Sequence, residues 1–174
     1  MGDRNKDVRL YGLTPNHGGA LDVYNAARDN RLEYIQVREC GSLLVNWANK
    51  SEGNYTPLHI ASFFGHADMV SLLLQHGAVI DQPEKFGRTP LWTAAQKGQA
   101  AVVKVLIDRG ANIDQPDRWG TTPLYAASSS GHASVVSILV DNGAKVNQED
   151  NGGRTPFYAA TNNRHDAVVA VFES

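Results

Sequence analysis

The chain has 174 residues, is 42% apolar and carries a formal net charge of −2, with a pI of about 6.3. That is one domain by size, with ample material for a core and no global basic field for nucleic acid or anionic lipid. No apolar run approaches the roughly 20 residues that cross a bilayer, so no membrane segment is expected. Met1-Gly-Asp-Arg-Asn-Lys-Asp lacks the apolar stretch of a secretory signal, and Lys6 stands where a myristoylation motif needs Ser or Thr. The lone Cys40 excludes an internal disulfide and suits a reducing compartment. The chain therefore reads as cytoplasmic, with the sequons at Asn49 and Asn54 as chance matches.

Residues 1–20 are polar, and Gly12, Pro15, Gly18 and Gly19 break any periodicity, which predicts a flexible leader or irregular cap. Residues 21–54 make sense only against the regular units C-terminal to them. Thr-Pro steps recur at 56, 89, 122 and 155, a constant period of 33 residues, and they head units at 55–87, 88–120, 121–153 and a shortened 154–174. In each, Thr is a good N-cap and Pro is harmless at the next position, where its missing N–H would be unpaired anyway. The first helix stops at Gly65, Gly98 and Gly131, which can be left-handed without strain. Asn163-Arg164 takes that place in the last unit and leaves its turn open. Second helices are predicted over 68–75, 101–108 and 134–141, each with an apolar stripe wide enough to sit between neighbouring units. Gly77, Gly110 and Gly143 end them.

Against this pattern, 21–54 is a degenerate first unit. Leu21-Asp-Val-Tyr-Asn-Ala-Ala lacks Thr-Pro, Asn30 replaces the helix-ending glycine, and its spacing to Thr56 is 35 rather than 33. Trp47 and its surroundings are expected to form an atypical loop. By register the last closing glycine would fall beyond Ser174. The chain is then either cut from something longer or ends in a short, fraying helix.

The period, with Thr56-Pro-Leu-His-Ile-Ala61, resembles the ankyrin repeat over about residues 21–174. The resemblance implies an all-α solenoid of stacked helix–turn–helix units with β-hairpin-like finger loops, at 79–88, 112–121 and 145–154. It implies side-chain to backbone bonding for His59, and a cupped surface formed by fingertips and first helices. Partner-facing positions would be Lys85, Phe86 and Arg88 with Phe63 and Phe64; then Arg118, Trp119 and Thr121 with Gln96 and Lys97. Asn151, Gly152 and Arg154 follow, with Ser129, Ser130, Asn162 and Asn163. Trp92, Tyr125 and Tyr158, in the histidine position, are expected to be half-buried.

The predicted partner-binding set is Phe63, Phe64, Lys85, Phe86, Arg88, Trp92, Lys97, Arg118, Trp119 and Tyr125. Aromatic residues and arginine are the types that dominate binding hot spots. Phe86 and Trp119 admit a second reading, as staples between adjacent fingers.

No chemistry competes with this reading. His66, His132 and His165 fall in one column as start signals of second helices; the resemblance implies that they stand a full repeat apart, too far to share a metal with bonds of about 2 Å. His76 precedes a helix-ending glycine and His17 stands alone. Cys40 lacks a nucleophile's motif, and there is no phosphate loop or nucleophile elbow. Most of the finger acids, Asp81, Glu84, Asp114, Asp117, Glu149 and Asp150, read as solvated turn residues. The expectation is a monomeric, non-catalytic interaction module without cofactor, metal or small-molecule substrate, binding a protein partner. The alternative is a targeting or regulatory segment of a larger enzyme or effector. Charge balance argues against nucleic acid.

Overall fold

The computed structural model describes residues 18–37 and 42–173. Residues 1–17, most of the expected leader and His17 among them, and Cys40 lie outside the described residues. Helices α1 (Gly18–Arg28) and α2 (Leu32–Val37) come first, then a helical turn α3 (Ser42–Val45) and a 3₁₀ turn (Lys50–Glu52). Four pairs complete the order: α4 (Pro57–Phe64) with α5 (Ala67–Gln75), α6 (Pro90–Gln96) with α7 (Ala100–Asp108), α8 (Pro123–Ser129) with α9 (Ala133–Asp141), and α10 (Pro156–Asn162) with α11 (Asp166–Phe172). The first helix begins at Gly18, inside the stretch expected to be leader.

Each regular first helix starts as its sequence requires. Thr56, Thr89, Thr122 and Thr155 are extended N-caps whose hydroxyls accept from the N–H three residues on, and proline follows at the first helical position. The helices end in left-handed residues, including Arg164 at φ +60°, so the last unit keeps the turn without glycine. At Gly65 the glycine is required twice. Its φ is +82°, and an added Cβ would lie 2.4 Å from Gln99 Oε1.

The first helices α1, α4, α6, α8 and α10 stack in one layer, and α2, α5, α7, α9 and α11 in a second. Ala61, Ala94, Ala127 and Ala160 are fully buried, since a methyl side chain lets neighbouring first helices come close. The core runs along the stack through Leu58, Leu91 and Leu124 on one layer and Leu73, Leu106 and Leu139 on the other. Each such leucine contributes about 2 kcal/mol by burial. Phe157, next in the Leu58 column, is 38% exposed and meets Phe172 edge-on at 6.0 Å.

Two local expectations change. The loop around Trp47 holds the two short helical turns, and Trp47 packs edge-on against buried Tyr24, with ring centroids 6.2 Å apart. Glu52, in the 3₁₀ turn, accepts a hydrogen bond from the Tyr24 hydroxyl, tying the insert to α1. The fingers are tight hydrogen-bonded turns, with no strand among the described residues apart from an isolated bridge, Asn49 to Tyr55. One main-chain bond links each finger to its predecessor: Lys85 N–H to Gly53 O (2.9 Å), Arg118 N–H to Phe86 O (3.0 Å) and Asn151 N–H to Trp119 O (2.9 Å).

Candidate partner-binding surface

The fingers are built on buried carboxylates. Glu84, Asp117 and Asp150 are each 6% exposed, which corrects the reading of these acids as solvated. One oxygen of Glu84 accepts from the Phe86 and Arg88 N–H groups (2.7 and 3.2 Å). Asp117 does the same for Trp119 and Thr121 (2.9 and 3.0 Å), and Asp150 for Gly152 and Arg154 (2.8 and 3.0 Å). Carboxylates accepting two N–H bonds hold a turn firmly, so the residues at the fingertips are presented in a fixed geometry. Asp81 and Asp114 also reach beyond their own fingers, accepting from the N–H of Asn112 and Lys145 in the following unit. Of the six acids, Glu149 is the one left exposed.

On this frame Phe86 and Trp119 meet, with ring centroids 5.6 Å apart and planes tilted by 32°. They touch as staples would, yet Trp119 remains 40% exposed, so contact between fingers and availability to a partner coexist. The Arg118 guanidinium lies 4.5 Å from the Phe86 centroid and 4.1 Å from that of Trp119. Arg88 lies 4.2 Å from the Trp92 centroid and 5.2 Å from Trp119. Cation–aromatic contacts of this kind fix the charges in place. Lys85 sits over Phe86 at 5.4 Å. On the first helices, Lys97 lies 4.5 Å from the Phe63 centroid, and Phe64 is 46% exposed.

Arg88 and Arg154 stand in corresponding places but pair differently. Arg154 makes two contacts with its own finger's Asp150, from Nε at 2.9 Å and a terminal nitrogen at 2.7 Å. Burial works to raise the Asp150 pKa, but the Arg154 side chain and the two N–H bonds outweigh it and hold the carboxyl below its ordinary range. Arg88 reaches instead towards Asp117 of the next finger, at 3.7 Å. Arg88 Nε and Asp117 Oδ2 are both buried without a hydrogen bond.

Trp92 departs furthest from expectation. It is 5% exposed, and its indole N–H donates to the carbonyl and hydroxyl oxygens of Thr121 at 3.1 and 3.2 Å. His59 Nε2 makes the equivalent bond to Arg88 O, at 3.0 Å. The indole thus takes over the histidine's donor role and forms the floor under Arg88. Along the column exposure rises, through half-buried Tyr125 to Tyr158 at 49%. Burial raises the Tyr125 pKa. Between Arg88, Trp119, Tyr125, Ser129 and Arg154 an open groove of about 280 Å³ separates fingers from first helices. Asp117 and Ala126, which also line it, were not anticipated. The signal for Asp117 was an acid five residues before each Thr-Pro from 84 onward.

The histidines at second-helix starts have another role as well. His66, His132 and His165 make no side-chain cap bond to their own helices. Each Nε2 donates to a carbonyl at the end of the preceding first helix: Arg28, Gln96 and Ser129, at 3.0, 3.0 and 3.1 Å. Gln99 fills the same place, donating to Phe63 O at 3.0 Å. These are struts between units.

Among the described residues no three His, Cys, Asp or Glu side chains form a group that could hold a metal, and no helix is long and apolar enough to cross a membrane. Paired helices stacked at a 33-residue interval, with capped fingers lining one groove, define a helical-repeat solenoid. The model of the family of ankyrin repeats, in three copies, matches residues 24–117 and 109–173. The chain belongs to the ankyrin-repeat family, whose repeats are generally protein–protein interaction modules.

Proposed function

We propose that this chain is a non-catalytic adaptor that acts as a cytoplasmic monomer and binds a protein partner through the face made by its fingers and first helices. The observation that carries the reading is the cluster of Phe86, Trp119, Arg88 and Arg118, aromatic rings and guanidinium groups in mutual contact. Its fingertip backbone is already satisfied by buried carboxylates, so those side chains are available for recognition without loss of the turns that bear them. Phe63, Phe64, Lys85, Lys97 and Tyr125 extend the surface, and Trp92 supports it from beneath.

The test is affinity capture from a lysate of the source organism, comparing the chain with a Phe63→Ala/Phe64→Ala/Trp119→Ala variant that retains its helical circular dichroism. A protein held by the first and released by the second is the expected result. Equal capture by both would move the site off this face, and sedimentation as a dimer would overturn the monomer.

A further inference from the structure

The geometry points to an acidic, extended segment of a protein as the occupant of this face, its carboxylates meeting Lys85, Lys97, Arg118 and Arg88 and its apolar side chains meeting Trp119 and Phe64. The inference deepens the proposed function and rests on its choice of face. Four cations from two successive units lie on one surface, on a chain whose net charge is −2. Among the described residues Lys85, Lys97 and Arg118 take part in no ion pair, and Arg88 meets Asp117 only at 3.7 Å, without a hydrogen bond. What holds them is aromatic: Phe86 under Lys85, Phe63 under Lys97, Phe86 and Trp119 beside Arg118, and Trp92 under Arg88.

Among the described residues the one acid that opposes them is Asp117, at 3.7 Å from Arg88. The first helices α4, α6, α8 and α10 contain neither Asp nor Glu. The carboxylates of Glu84 and Asp117 are buried and engaged with their own turns. Three cations held at fixed positions without an ion pair, beside a fourth only loosely paired, favour a ligand that brings the missing anions, since complementary charge steers encounter and fixes register. A carboxylate suits Arg118 and Arg88 in particular, because a guanidinium can bond it through two parallel N–H groups.

The spacing favours protein over nucleic acid. The cations lie against aromatic rings, and beyond them the groove turns to the neutral Thr121, Ser129 and Ser130 and to Arg154, which is already paired with Asp150. A regular phosphate backbone would find no continuous basic track there, whereas a peptide can alternate carboxylates with apolar side chains.

A displayed library of random peptides, selected on the full chain, tests this. The tightest peptides are then measured by fluorescence anisotropy against the wild type, Arg118→Glu, Lys97→Glu and Trp119→Ala. The expected outcome is enrichment in Asp and Glu alternating with apolar residues, and affinity that falls with added salt. Each charge reversal should weaken binding by about tenfold or more, with recovery on Arg118→Glu when a peptide glutamate becomes lysine. Selected peptides without acidic enrichment that still lose affinity on Trp119→Ala would overturn the inference and leave the face standing. Peptides indifferent to all three variants would overturn both. Tighter binding of a single-stranded oligouridylate than of any selected peptide would replace the protein ligand with nucleic acid. Circular dichroism of each variant guards against a loss of fold.

Discussion

His59 offers the sharpest test of how the stack is held together. Its ring is fully buried. Nε2–H donates to Arg88 O, and Nδ1 accepts from the Thr56 hydroxyl at 2.8 Å and the Thr56 N–H at 3.2 Å. A proton on Nδ1 would face the Thr56 N–H, donor against donor. Burial accordingly pushes the His59 pKa from 6.5 down to about 4, against the opposing pull of the Arg88 carbonyl. Above pH 6.5 the ring is neutral in both folded and unfolded chains, and the stability it provides is complete. As pH falls from about 6.5 to about 4 the unfolded chain takes up a proton that the fold refuses, so stability declines; below about 4 both bind it and the decline stops. A depression of this size corresponds to roughly 3 kcal/mol, a large share of the roughly 5–15 kcal/mol typical of a domain.

Urea unfolding between about pH 7.5 and pH 4 would show it, as the difference in pH slope between the wild type and His59→Gln. The glutamine retains an N–H donor but cannot titrate, and the other histidines are common to both chains. NMR of the imidazole would give the folded pKa directly. Parallel pH slopes in the two proteins, or a His59 ring titrating near its ordinary value, would refute the account.

Asp117→Ala should cost about 2 kcal/mol, because the Trp119 and Thr121 N–H groups lose a charged acceptor; Asp117→Asn, which keeps a side-chain oxygen, should cost clearly less in the same denaturant titration. Gly110→Ala meets no atom within 4 Å but stands at φ +85°, so roughly 1 kcal/mol of left-handed strain is expected. Gly65→Ala adds the clash with Gln99 and should cost about 2 kcal/mol. A Gln99→Ala background should narrow that gap in a double-mutant cycle. Trp92→Phe removes the indole donor to Thr121 and should lower stability by about 1–2 kcal/mol in thermal unfolding, while Arg88 keeps a ring beneath it.

The sequence disclosed the elements that repeat. Thr-Pro steps, small residues at 61, 94, 127 and 160, and glycines after the first helices of the three middle units fixed the helix pairs and their order, because each is a local necessity repeated at one interval. Less legible was anything decided by a neighbouring unit. Trp92 looked half-buried in isolation, but the Thr121 carbonyl one unit away gives its N–H a partner and draws the ring inside. Glu84 and Asp117 looked like ordinary turn acids, although their oxygens close the turns. Histidines at second-helix starts read as start signals, yet their reach is to the unit before. The face carrying Phe86, Trp119 and Arg118 was visible as a set of positions, but not the ring-on-ring and cation-on-ring contacts that organise it.

The struts of His66, Gln99, His132 and His165 carry a consequence for how such a surface can diversify. Each grips a main-chain oxygen, and three of the gripped residues, Phe63, Gln96 and Ser129, occupy positions on the face proposed for recognition. Cohesion between units is therefore blind to which side chain those residues bear. Mutation can rewrite the specificity of the face while the joints beneath it go on reading the same carbonyl, and imidazole and carboxamide already serve interchangeably as the reader. The stack separates the alphabet of that face from the one used for assembly.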